Sequence, residues 1–174
     1  MYRFEFLDGL PPYGPAAIPF PQDGRGAFRE GVVIRFHGAD GTSWVGNFQR
    51  GSSQGFDCAV DHPDHHLVIV VAGGKGYVVD PDLKRQTHSF GGGIDFVRQV
   101  PSLNIVVISD GIRLAAFCAR GIAWSSDRIS WDGIRNIAIT GSTLRGEAWS
   151  PIPPAWHPFE VDLLTGESRG AVYP

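Results

Sequence analysis

Leu67-Val68-Ile69-Val70-Val71-Ala72-Gly73-Gly74-Lys75-Gly76-Tyr77-Val78-Val79 decides the fold class. Two runs of β-branched and aromatic residues flank a glycine pair, and glycine reaches the positive φ of a tight hairpin turn without steric cost. The first run is apolar without alternation, as in a strand covered on both faces. The same reading extends outward. Residues 32–36 face 44–48 across Ala39-Asp40-Gly41-Thr42, residues 105–108 face 114–117 across Asp110-Gly111, and residues 137–139 face 144–149 across Gly141-Ser142. Residues 159–163 add a strand that ends in Thr165-Gly166-Glu167. No window shows helical periodicity over the roughly 10–12 residues a helix needs. The alanine-rich residues 114–119 make the weakest strand, because they would also suit a helical turn.

Three stretches open similar units: Phe56-Asp57-Cys58-Ala59-Val60, Ile94-Asp95-Phe96-Val97 and Ile134-Arg135-Asn136-Ile137-Ala138-Ile139, 38 and 40 residues apart. A period of about 40–45 residues is the length of one four-stranded propeller blade. Residues 32–50 supply half a unit, and a closed propeller takes at least about four blades. The expectation is one all-β domain over residues 1–174: an antiparallel hairpin meander forming a small or partial β-propeller-like domain, with residues 2–7 as an added strand. A β-barrel or β-sandwich is the alternative, since regular turn spacing suits these as well. Residues 7–31 form an irregular Pro/Gly-rich segment. Pro11, Pro12, Pro15, Pro19 and Pro21 cannot donate into a ladder, which predicts extended or looped backbone, and Gln22-Asp23-Gly24-Arg25-Gly26 reads as a turn.

Composition narrows the function classes. The chain has 174 residues, a normal apolar fraction of 43% and 23 glycines, the last in keeping with many turns. Net charge is −3 with acids and bases mixed throughout, so no basic stripe recommends nucleic acid as a partner. The first residues lack a signal-peptide pattern, and no apolar run approaches the roughly 20 residues that span a bilayer. Cys58 and Cys118, two cysteines far apart in largely apolar runs, read as reduced, buried thiols of a cytoplasmic protein. Arginine far outnumbers lysine, a bias that suits a GC-rich bacterial genome.

Two clusters could carry chemistry. Asp57-Cys58-Ala59-Val60-Asp61-His62-Pro63-Asp64-His65-His66 crowds histidines and aspartates, the usual ligands of Zn²⁺ and related ions. A divalent metal held by His62, Asp64 and His65 would make a metal-dependent hydrolase or lyase. Adjacent His65 and His66 would point to opposite faces of a strand, and Pro63-Asp64 also fits the centre of a type I turn, a purely structural use. Cys58 near these histidines could be a nucleophile, although a structural cysteine is commoner. Gly73-Gly74-Lys75-Gly76 runs into a strand rather than a helix, which excludes a phosphate-binding loop. Gly-x-Ser-x-Gly is missing, and with it the nucleophile elbow of an α/β-hydrolase.

The second cluster is Trp124, Arg128, Trp131 and Asp132, followed by Trp149 and Trp156 around a proline-rich loop. Tryptophan and arginine are favoured at protein-binding hot spots, and tryptophan also stacks on sugars. The competing use is structural, one buried aromatic per sheet.

Phe159-Glu160-Val161-Asp162-Leu163-Leu164-Thr165-Gly166-Glu167 resembles the blade ends of PQQ-type β-propeller repeats, where a strand runs into an Asp-x-x-Thr-Gly-Glu turn. Val78-Val79-Asp80-Pro81-Asp82-Leu83 is similar but less closely so. The resemblance covers about a tenth of the chain, implies a propeller-like fold and carries no cofactor. It departs from the family in lacking a regular tryptophan docking motif in each repeat. Residues 128–133 also resemble small bacterial proteins, a likeness that implies no activity. The expected function is a non-catalytic binding protein with another protein as partner, a toxin-neutralising immunity protein being one concrete form. A carbohydrate or small-ligand binder is the other non-catalytic class.

Overall fold

In the computed structural model, residues 3–23, 29–38, 40–52 and 56–173 are described. They form sixteen strands and a single 3-10 turn, so the chain is all-β. Two compact units divide it, residues 1–94 and 95–174. Each unit holds two four-stranded sheets, and none of the four sheets closes into a barrel.

In the first unit one sheet runs β1 (Arg3–Leu7), β3 (Val32–His37), β4 (Ser43–Phe48), β2 (Ile18–Phe20). The second runs β5 (Cys58–Asp61), β6 (Val68–Ala72), β7 (Lys75–Asp80), β8 (Arg85–Phe90). The second unit has β9 (Phe96–Val100), β10 (Ile105–Ser109), β11 (Leu114–Cys118), β12 (Gly121–Ser125), then β13 (Ile134–Thr140), β14 (Thr143–Pro151), β15 (Pro154–Asp162), β16 (Ser168–Arg169). All pairings are antiparallel except β2 on β4. The residues at 56, 94 and 134 sit at or just before β5, β9 and β13, the first strands of the last three sheets.

The hairpin with the two glycines pairs Val68↔Val79 through Ala72↔Lys75. Gly73 and Gly74 have φ of 52° and 77°, the double positive φ that a two-residue hairpin turn demands. All five residues of β6 are buried, as the unalternating apolar run requires. Residues 114–118 are a strand rather than a helical turn, because both β10 and β12 pair with them. The irregular segment gains order at β2. Ile18, Pro19 and Phe20 lie beside β4 on an edge, the one place where a proline costs the ladder nothing. Tyr2 and the turn residues Gly24 to Gly26 lie outside the described residues.

Alternation sets the cores. Val32, Ile34 and Phe36 of β3 point the same way and are buried. With Phe20, Phe48 and Tyr77 they make an aromatic-rich core, in which Phe20 stacks on Phe48 at 4.6 Å and Phe36 on Trp44 at 4.4 Å. Each such pair contributes about 0.5–1.5 kcal/mol beyond its burial. The second core is mostly aliphatic, built on Val107, Leu114, Ile129, Leu144 and Val161 with Trp124 and Phe159.

A tryptophan closes each unit in the same way. Trp44 of β4 donates its indole N–H to the Pro81 carbonyl at 3.0 Å, and Trp124 of β12 donates to the Leu163 carbonyl at 2.8 Å. Both acceptors follow the aspartate that ends the third strand of the neighbouring sheet, Asp80 or Asp162. Those aspartates organise the turns, with Oδ1 accepting from the backbone N–H of Leu83 or Leu164. The sequence reading did not anticipate this docking.

Candidate functional site

The aromatic residues named from sequence divide into a core residue and a surface group. Trp124 is 9% exposed, packs in the second core and spends its N–H on Leu163. It belongs to the core and is corrected out of the partner-binding set: a ring of this size that can reach a carbonyl partner gains more inside than at the surface.

Trp131, Trp149, Trp156, Arg128 and the exposed Asp132 gather where β13 begins and the β14–β15 hairpin ends. The backbone holds them together. Trp131 N–H donates to the Trp149 carbonyl, and Trp149 N–H donates to the Gly133 carbonyl and to Ser130 Oγ. Trp149 and Trp156 oppose each other across the hairpin, their rings 5.4 Å apart. Gly133, at φ 95°, lies under the Trp156 ring, so a side chain there would meet it at 3.3 Å.

Two arginines cover aromatic faces. Arg135 lies 4.1 Å over the Trp156 ring and pairs with Glu147 at 2.8 Å. Hydrogen bonds from Arg135 and then Asn136 hold the Glu147 carboxyl below its ordinary range. Arg128 lies 4.2 Å over the Tyr173 ring and ties down the carbonyls of Ser130 and Trp131. Tyr173 in turn meets Trp131 at 4.7 Å, and Trp131 donates to the Val172 carbonyl. Such contacts fix long side chains in one geometry, which lowers the entropy lost on binding. At the hairpin tip Ile152 is 81% exposed. Ser150 Oγ bonds both the N–H and the carbonyl of Ile152, so the tip is braced.

Arg135, Tyr173 and Ile152 are members of this surface that sequence reasoning missed. Arg135 had a signal, because it opens a strand repeat without an apolar role. Tyr173 had none, being joined to the group only by folding.

The histidine cluster forms the β5–β6 connection. The turn runs from Asp64 to Leu67, whose N–H donates to the Asp64 carbonyl, so its centre is His65-His66 rather than Pro63-Asp64. His62 is buried, and its Nδ1 accepts from the Asp64 backbone N–H at 2.9 Å. Burial chiefly holds its pKa below the ordinary value, partly offset by the Asp64 charge. His65 and His66 are exposed. Among the described residues no three histidine, cysteine, aspartate or glutamate side chains are grouped to hold a metal. His62 and Asp64 are bonded to each other within this turn, and His65 stands at its centre.

Cys58 and Cys118 are unpaired and half-buried, and burial pushes the Cys58 thiol up, away from the thiolate a nucleophile needs. Among the described residues no helix is long and apolar enough to cross a membrane. Compared with protein-family models, curated proteins and solved structures, the chain matches none.

Proposed function

We propose that the chain is a non-catalytic binding protein that engages a protein partner through the surface at the start of β13 and the tip of the β14–β15 hairpin. The observation that carries this reading is the exposure of Trp131 (37%) and Ile152 (81%) beside two aromatic rings faced by arginines. Tryptophan, tyrosine and arginine anchors in a braced setting are what hot spots are made of. A toxin-neutralising immunity protein would be one form of this function.

The test is capture from the lysate of the source organism with wild-type protein, Ile152→Asp and Trp131→Ala. Ile152 has so little packing that its replacement leaves the fold intact. A stoichiometric polypeptide held by wild type and lost, by about 30-fold or more in affinity, with Ile152→Asp is the expected result. Retention by both variants, or no stoichiometric polypeptide, overturns the reading. Arg128→Ala is a poorer probe, because Arg128 also anchors two loop carbonyls.

A further inference from the structure

We propose that the first unit carries a binding site for a neutral sugar, a mono- or disaccharide, in the cleft beside Trp44. The cleft has a volume of about 530 Å³ and lies between the β3–β4 turn and the β7–β8 turn. Clefts of roughly 300–1,000 Å³ hold small molecules. Trp44 forms its aromatic wall, backed by the buried Phe36 ring stacked on it at 4.4 Å, and His37, Asp40, Thr42, Asp82 and Lys84 are its polar lining.

The docked tryptophan of the second unit supplies the contrast. There the position four residues after the strand-ending Asp162 is Gly166, at φ 81°, with the Trp124 ring so close that a Cβ would lie 2.8 Å from it. In the first unit the position four after Asp80 is Lys84, at φ 53°. A lysine in left-handed backbone costs about 1–2 kcal/mol that glycine does not. Strain of this kind collects at functional sites. Lys84 brings an ammonium to the lining of the cleft beside Trp44, where position 166 of the second unit has no side chain. Trp44 stays half-buried where Trp124 is sealed.

The remaining groups suit a polyol. Thr42 donates twice to Asp40 Oδ1, from its N–H at 3.0 Å and its hydroxyl at 2.7 Å. That leaves Oδ2 to accept a sugar hydroxyl. The hydrogen bonds from Thr42 hold the Asp40 carboxyl below its ordinary range, so it remains an acceptor at neutral pH. The lining holds two carboxylates and one ammonium beside the His37 imidazole, a set with no net positive charge, which disfavours phosphate. An indole wall receives the C–H face of a pyranose. The bond from Trp44 to the Pro81 carbonyl fixes that wall before any ligand arrives.

The experiment follows the five tryptophan indole N–H resonances of ¹⁵N-labelled protein, with Trp44 assigned through Trp44→Phe. Glucose, galactose, mannose, N-acetylglucosamine and their β-linked disaccharides are titrated to millimolar concentration, with inorganic phosphate and spermidine as charge controls. One sugar should shift the Trp44 resonance saturably while the other four stay in place. Asp40→Asn should weaken that binding by about tenfold or more. Ile152→Asp should bind as wild type, which separates this site from the protein-binding surface. A Trp44 resonance unmoved by every sugar overturns the proposal. So does an equal response to phosphate or spermidine, or unchanged affinity in Asp40→Asn.

Discussion

Trp44 and Trp124 do the same job in the two units and are buried to different depths. Each leaves its strand, crosses to the neighbouring sheet and hydrogen-bonds the carbonyl that follows a strand-ending aspartate. Trp124 is sealed against Gly166, whereas Trp44 stacks on Phe36 and borders a cleft lined by Lys84. Clefts border both turns, about 530 Å³ beside Lys84 and about 400 Å³ beside Gly166, but only the first is walled by its tryptophan, since Trp124 is packed onto Gly166. The comparison teaches that a repeated structural contact can keep its hydrogen bond while the depth of its ring changes.

The largest effect should come from removing the sealed ring. Trp124→Ala empties the centre of the second core and should cost about 3–5 kcal/mol. Trp44→Ala should cost clearly less, because part of its ring already faces solvent. Urea unfolding of both variants measures the difference, and equal losses would break the comparison. Next in size is Gly166→Ala. It puts a Cβ in left-handed backbone and 2.8 Å from the indole, so about 2–3 kcal/mol should be lost. A loss under about 0.5 kcal/mol would mean that Trp124 is not seated on Gly166.

Much of the fold was legible because hairpins are written locally. Gly73-Gly74, Asp110-Gly111 and Gly141-Ser142 sit at turns where glycine takes positive φ, and the flanking runs pair as the pattern demands. The parallel pairing of β2 with β4 was not legible, since three residues with a central proline carry no strand pattern. The candidate surface was half legible. Tryptophan and arginine marked it, but the sequence gives no depth, so Trp124 was grouped with the surface although only the fold sends it inward. Tyr173 joins Arg128 and Trp131 across some forty residues of chain, a contact no local signal announces.

Titration sharpens the comparison further, because buried Tyr77 and His62 both belong to the first unit. Tyr77 donates to the Gln49 carbonyl at 2.6 Å, and burial chiefly pushes its pKa up to about 12. Between the unfolded value near 10 and about 12, the unfolded chain loses a proton that the folded one keeps, so stability falls as pH rises through that window. His62 acts with the opposite sign. Its pKa is lowered, so its contribution is complete above the unfolded value of about 6.5 and is lost as pH falls below it. Hydrogen exchange read unit by unit should show both losses in residues 1–94. Tyr77→Phe should abolish the alkaline one, and an alkaline loss unchanged in that variant would remove Tyr77 as its source.

The smallest effect on stability should come from Lys84→Gly, and it discriminates best. Glycine relieves the left-handed strain but loosens the unfolded chain, two effects of about 1 kcal/mol that oppose each other. The unfolding midpoint should therefore move little, upward if at all. A lysine retained only for structure would show a clear loss instead, because its bonding in the folded state would then outweigh the strain. The backbone carbonyl of Lys84 accepts from Gln22 Nε2 at 3.0 Å, a bond the glycine preserves, so loss of that bond does not enter the difference. A neutral midpoint with weakened sugar response at Trp44 would mean that the strain is maintained for the cleft. A neutral midpoint with no change in that response would leave Lys84 without a role in binding and reduce the contrast with Gly166 to packing alone.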